Sequence, residues 1–87
     1  MNLEDVFCSK TRMKILKLLF RFGQLNTSET AKRIGADYRT ALRNLQLLEK
    51  EGLVQHRLSG RIRYFRFTTS VRARAARELL EAWTGDT

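Results

Sequence analysis

Four side chains spaced three or four residues apart, Arg39, Arg43, Gln46 and Lys50, stand out in this 87-residue chain for the chemistry they could do together. On a helix they fall within about 60° of one another, at about 100° per residue. Arginine forks match the O6/N7 edge of guanine, a carboxamide matches adenine, and a lysine at the far end suits phosphate. A second set follows in sequence: seven arginines (57, 61, 63, 66, 72, 74 and 77) with no acid between Leu53 and Arg77. The whole chain carries +8, so nearly all of its excess charge lies in that one segment. A surface without a binding role usually mixes its signs, and this one points to an anionic partner, nucleic acid or an anionic lipid surface.

Other chemistries find little support. No nucleophile sits beside a base in a motif, and there is no glycine-rich phosphate loop or carboxylate cluster, so the chain is read as a non-enzyme. Cys8 and His56 are the only cysteine and histidine. A zinc-type site needs about four ligands, so no metal or other cofactor is expected. A lone cysteine excludes an intrachain disulfide and fits a reducing cytosol. No apolar run approaches the ~20 residues of a membrane span, and the acidic start, Met1-Asn2-Leu3-Glu4-Asp5, is unlike a signal peptide; a cytoplasmic location is expected.

The elements that must position these residues are readable from caps and periodicity. Ser9 caps a helix over Lys10–Phe22 that stops at Gly23; Leu3–Cys8 forms a short turn of helix before it. Its basic residues Lys10, Lys14, Lys17 and Arg21 share a narrow arc, while apolar residues cover roughly 220°, wide enough for packing on two sides. Arg12 falls inside the apolar arc and is read as structural, paired or snorkelling. Asn26-Thr27-Ser28-Glu29 has capping-box spacing and opens a helix from Thr27 to Ile34, stopped by Gly35. Asp37 caps a second helix, Tyr38 to about Glu51, ended by Gly52, with Ala41, Leu45 and Leu48 as its core stripe; Leu42 and Leu47 lie off that stripe. Two helices joined by Gly35-Ala36-Asp37 make a helix-turn-helix.

After Gly52 the period changes from helix to strand. Leu53–Leu58 and Arg61–Thr68 read as two β-strands around a turn at Ser59-Gly60, with Arg61, Arg63 and Phe65 on one face and Ile62, Tyr64 and Arg66 on the other. Tyr64, Phe65 and Phe67 would suit a stacking platform for single strands, but beside a small core they read as core. Thr69 or Ser70 caps a last helix, Val71 to about Thr84, stopped by Gly85. Its apolar arc holds Val71, Ala75, Ala76, Leu79, Leu80, Ala82 and Trp83. The result is a single domain over 1–87, mainly α with a small β-hairpin: a three-helix core plus wing over 9–68 and a C-terminal helix over 69–87.

This order, helix, helix-turn-helix, hairpin, helix, is that of a winged helix-turn-helix, and residues 9–68 resemble the ArsR-type regulators. The resemblance rests on Thr11-Arg12-Met13-Lys14-Ile15-Leu16-Lys17-Leu18-Leu19, on Asp37 through Val54 with its Leu48-Glu49-Lys50-Glu51-Gly52-Leu53-Val54 ending, and on Arg57-Leu58-Ser59-Gly60-Arg61 with Tyr64-Phe65-Arg66-Phe67-Thr68. It implies a cytoplasmic, homodimeric, DNA-binding transcriptional regulator. The paired Cys and His ligands with which family members sense metal are missing from this sequence.

The expected DNA-facing set is Thr27, Ser28, Tyr38, Arg39, Thr40, Arg43, Gln46 and Lys50 from the helix-turn-helix, with Arg57, Ser59, Gly60, Arg61 and Arg63 from the wing. The partner is double-stranded DNA, read in the major groove by the second helix and on the backbone or minor groove by the wing. The broad apolar arcs of the first and last helices suggest a homodimer through Phe7, Leu79, Leu80 and Trp83. Cys8 is read as a buried small hydrophobe or, if exposed at a two-fold axis, an intermolecular disulfide; His56 is read as a hairpin or phosphate-facing residue. Two rival functions share the fold: a sequence-tolerant architectural DNA binder and a protein-interaction module.

Overall fold

Every longer helix begins at a side-chain acceptor. Ser9 Oγ accepts from the N–H of Arg12 at 3.3 Å, Asn26 Oδ1 from Glu29 at 2.7 Å, and Asp37 Oδ1 from Thr40 at 2.7 Å. Ser70 Oγ accepts from Ala73 at 3.1 Å, which settles the last cap in favour of Ser70 over Thr69. Each bond satisfies one of the amides that a helix start leaves without a partner.

The computed structural model describes residues 2–85; Met1, which enters the sequence reading, and Asp86 and Thr87 lie outside the described residues. The elements are α1 (Leu3–Phe7), α2 (Lys10–Phe22), β1 (Gln24–Asn26), α3 (Thr27–Ile34), α4 (Tyr38–Lys50), β2 (Val54–Ser59), β3 (Ile62–Phe67) and α5 (Val71–Gly85). Between α3 and α4, Gly35 takes a left-handed conformation (φ 73°), and the N–H of Ala36 reaches back to the Ala31 carbonyl at 3.0 Å. That closure turns the chain within three residues and sets the helix-turn-helix.

The core collects Ile15, Leu16 and Leu19 of α2, Ala41, Leu45 and Leu48 of α4, Val54 and Phe65 of the sheet, and Val6 of α1. The expected α4 stripe is thus the buried one. The hairpin gains a third strand that the sequence reading lacks: β1 pairs with β3, giving an antiparallel sheet in the order β1-β3-β2. Leu25 of β1 lies opposite Phe65 and is buried with it. The turn is also displaced by one residue. Ser59 pairs with Ile62, so Gly60 and Arg61 form the loop, and Arg61 leaves the strand in which alternation had put it. Gly60 has φ 63° while Arg61 has a negative φ, the sign pattern of a type II′ turn.

Helix α5 buries Ala73, Ala76 and Leu80. The expected apolar arc was therefore rotated: Val71, Ala75, Leu79, Ala82 and Trp83 are exposed. Leu80, assigned to a dimer interface, lies about 100° round the helix from Leu79 and is part of this chain's own core at 3% exposure. Cys8 is exposed, which excludes its reading as a buried small hydrophobe. Among the described residues no helix is long and apolar enough to cross a membrane.

Candidate nucleic-acid interface

Burying Ala41, Leu45 and Leu48 forces the opposite side of α4 outward. Arg39, Arg43, Gln46 and Lys50 are all exposed there, with Tyr38 exposed and Thr40 half-buried at the N-terminal end. Among the described residues none of the four stripe side chains is engaged by a hydrogen bond or ion pair. Asp37, which caps this helix, is held below its ordinary carboxyl value of 3.8, chiefly by the Thr40 backbone N–H, then by its hydroxyl, with Arg39 and Arg43 adding to the effect. A negative cap at the helix start offsets the positive end of the helix dipole without neutralising the arginines.

Ser28 is exposed at the start of α3, where backbone amides face outward, but Thr27 is not available to a duplex. It is 2% exposed, and its Oγ1 is buried with no hydrogen-bond partner among the described residues. As the first residue of α3, placed directly after β1, its side chain turns into the core, which corrects its place in the expected DNA-facing set.

The register of the wing sorts its arginines. Cross-strand partners share a face, so Val54/Phe67, His56/Phe65 and Leu58/Arg63 line the face toward the core, and Gln55/Arg66, Arg57/Tyr64 and Ser59/Ile62 line the other. Arg57 and Arg63 therefore leave the hairpin on opposite sides, with Arg61 at its tip. Ser59, Gly60 and Arg61 are exposed, and Arg63 is half-buried. Phe65 is core as expected, and Phe67 packs partly buried against it; Tyr64 lies on the outer face beside Asn26 of β1.

Several positioning contacts were not specified by the sequence. Arg12, expected to be structural, is paired: Nε donates to the Asp5 carbonyl and Nη1 to Oδ1 of Asn44, each at 2.8 Å. Asn44 returns its Nδ2 to the Thr40 carbonyl at 2.9 Å. Glu49, on α4, accepts at Oε2 from both the ring Nδ1 of His56 at 2.7 Å and the His56 backbone N–H at 3.1 Å. At the base of the wing Thr68 Oγ1 and Ser70 Oγ donate to the Gly52 carbonyl at 2.6 and 2.7 Å, joining the end of β3 to the start of β2. The available signal for the first network was a carboxamide, Asn44, set between Ala41 and Leu45 on the core side of an amphipathic helix, since such a group requires a partner.

A separate apolar surface runs along α1 and α5. A groove of about 510 Å³ is lined by Leu3, Val6, Phe7, Leu53, Ala75 and Leu79 among others; Val71 and Trp83, four residues before Ala75 and four after Leu79 on α5, are also exposed, Trp83 by 76%. Among the described residues no three His, Cys, Asp or Glu side chains are grouped to hold a metal ion.

Comparison with known proteins gives the fold a context. The sequence profile of the HVO_A0114 family matches residues 7–71. No curated protein matches in sequence. Among solved structures, HlyU from Vibrio cholerae superposes with a TM-score of 0.78 at 23% identity, covering 93% of this chain and 86% of its own. The AntR antimony-specific transcriptional repressor gives 0.76 at 21% identity, over 94% and 73% of the two chains. Mb0332 from Mycobacterium bovis, a homodimeric winged helix-turn-helix DNA-binding domain described as a possible ArsR-family transcriptional regulator, gives 0.76 at 27% identity over 94% and 74%. The chain has the winged helix-turn-helix fold.

Proposed function

The chain belongs to the HVO_A0114 family, and from that premise we propose that it is a sequence-specific, double-stranded-DNA-binding transcriptional regulator of ArsR type, working in the cytoplasm as a homodimer without a metal sensor. The observation that carries the reading is the stripe of Arg39, Arg43, Gln46 and Lys50, exposed and, among the described residues, without a hydrogen bond or ion pair, on the second helix of a helix-turn-helix. A helix of this width fits the major groove, the groove in which all four base pairs differ. Tyr38, Thr40 and Ser28 contact phosphates at the helix starts, and Arg57, Arg61 and Arg63 with Ser59 and Gly60 meet the flanking backbone or minor groove. Phe7, Leu79 and Trp83, without Leu80, form the contact with a second copy, so that two recognition helices lie about 34 Å apart on a pseudo-palindrome.

Selection of bound sequences from a random duplex pool at stated salt tests specificity, and Arg39→Ala with Arg43→Ala tests the helix. Loss of at least tenfold in affinity for the selected site is expected, about 1–3 kcal/mol for each bidentate base contact. Equal affinity for scrambled duplexes with a steep salt dependence indicates the architectural binder instead, and no duplex binding at all leaves a protein-interaction module. Sedimentation of Trp83→Glu as a monomer where the parent chain is a dimer tests the second copy.

A further inference from the structure

The last turn of the recognition helix and the first strand of the wing meet at a polar contact outside the DNA-facing set. His56 is on the core-side face of β2, its ring 5.6 Å from that of Phe65 and tilted by 47°. Phe65 is fully buried, so the imidazole rests against a fixed wall. Glu49 comes from the last turn of α4, one residue before Lys50 of the exposed stripe. One of its oxygens, Oε2, accepts from the ring at 2.7 Å and from the backbone N–H of the same histidine at 3.1 Å. A carboxylate can only accept, so Nδ1 carries the proton in this contact, and it does so in both the neutral Nδ1–H tautomer and the imidazolium. The backbone donor matters as much as the ring. It ties the carboxylate to the strand itself, so the contact locates the path of β2 relative to α4.

Past the pairing of Asn26 with Tyr64, which reaches one residue beyond His56, the hairpin has little else to hold it. Arg57, Leu58, Ser59, Gly60 and Arg61 are exposed, and the strands past His56 face solvent on both sides except where Arg63 and Tyr64 are half-buried. An isolated two-stranded ribbon is marginal and strongly twisted. Its angle to the rest of the domain is therefore set where it leaves the core, and that is where Glu49 grips it. The acid is otherwise out of place. It sits beside the most basic segment of the chain, next to a surface read as a phosphate-binding one, where a carboxylate without a task weakens binding.

We infer that Glu49, acting through His56, is a positioning residue that aims the wing arginines Arg57, Arg61 and Arg63 at the duplex engaged by α4. The inference rests on the DNA-binding reading, and the test separates the two. Binding of the parent chain and of Glu49→Ala, Glu49→Gln, His56→Ala and the Glu49→Ala/His56→Ala double variant to one selected duplex is measured by anisotropy from 50 to 300 mM salt. Glu49→Ala is expected to weaken binding about 5- to 10-fold and to flatten the log-affinity against log-salt slope by about two, since each phosphate that the wing ceases to neutralise takes about 0.9 from it. His56→Ala, which leaves the backbone donor in place, gives a smaller change in the same direction. The double variant binds no more weakly than Glu49→Ala alone, and Glu49→Gln, which keeps an acceptor, retains most of the slope. A substitution that merely loosened the fold would lower affinity without altering the number of phosphates engaged. An unchanged slope in Glu49→Ala, or additive losses in the double variant, overturns the inference. If the parent chain binds no duplex, the DNA-binding reading falls, and amide exchange in the free protein decides the positioning role. Exchange at residues 57–63 should rise at least about tenfold in Glu49→Ala if the wing is released from α4, and equal exchange overturns it.

Discussion

Arg12→Ala has the consequence that the structure specifies most fully. Arg12 is half-buried in the first turn of α2 and joins three elements: its Nε donates to the Asp5 carbonyl of α1 and its Nη1 to Asn44 Oδ1 of α4, each at 2.8 Å. Asn44 is 9% exposed and spends its Nδ2 on the Thr40 carbonyl. Truncation therefore leaves a nearly buried carbonyl oxygen without a donor. A hydrogen bond from a charged group is worth about 1.5–3 kcal/mol net. The partly buried bond to Asn44 is taken at about 1.5 kcal/mol and the solvent-facing bond to Asp5 at about 0.5 kcal/mol, a loss of about 2 kcal/mol in all. In a domain of this size each kcal/mol moves Tm by about 4–8 °C, so Tm falls by about 8–16 °C. Thermal melts followed by circular dichroism, at one protein concentration so that any self-association is constant, provide the assay. Arg12→Lys reaches one acceptor and not both, and should lose about half as much. Asn44→Ala combined with Arg12→Ala should cost less than the two single losses added, because they share a bond. A Tm for Arg12→Ala within about 3 °C of the parent, or strict additivity with Asn44→Ala, refutes the claim that this network holds α4 in place.

Three further outcomes follow from single positions. Thr27→Val removes a buried hydroxyl that has no partner among the described residues while keeping its shape; melts should show stabilisation by about 1 kcal/mol, with DNA affinity unchanged. Gly60→Ala places a Cβ at φ 63° in open space, so its cost is conformational alone, about 1–2 kcal/mol by denaturant titration. The Asp37 carboxyl titrates lower in the folded chain than its ordinary 3.8, mainly through the Thr40 N–H. Its stabilising contribution is therefore present above the unfolded value and is lost as pH falls through the lower folded one. The acid limb of the Tm–pH curve below pH ~4 should be shallower in Asp37→Asn, which still caps the helix but does not titrate.

Helix starts were legible because Ser9, Asn26 and Asp37 each carry a short acceptor directly before a periodic segment, and that local chemistry is what ends the unpaired run of amides. The α4 stripe was legible because leucines mark one side and long polar residues the other. The phase of α5 was not. Alanine reads as apolar wherever it stands, so Ala73 and Ala76, which are buried, could not be told from Ala75 and Ala82, which are not; only packing against α2 chose between them. Strand β1 is three residues long, too short for alternation to appear, and owes its existence to pairing with β3. Alternation within a strand sorts that strand alone. The opposite exits of Arg57 and Arg63 depend on the register across the hairpin: one residue more or less in the loop would invert them, whereas displacing the two-residue turn by one leaves them opposite.

The same register explains why α4 needs two attachments. Its first half is tied through Asn44 and Arg12 to α1, the element that carries part of the apolar α1–α5 surface. Its last turn is tied through Glu49 and His56 to the wing. Between these ends the side chains that hold the helix, Asn44 and Glu49, differ from those left exposed to solvent, Arg39, Arg43, Gln46 and Lys50. Holding and reading are thus done by separate residues, and a change in one set need not disturb the other. The clearest consequence concerns Arg12→Ala and Glu49→Ala together. The two attachments lie five residues apart on α4 and share no partner, so their losses in Tm should add within about 0.5 kcal/mol. Their effects on DNA should differ in kind: Glu49→Ala lowers the salt slope, whereas Arg12→Ala, which leaves the wing gripped, lowers affinity at constant slope. Equal slope changes in the two variants would mean that the domain loosens as a whole, and that the helix and the wing are not positioned separately.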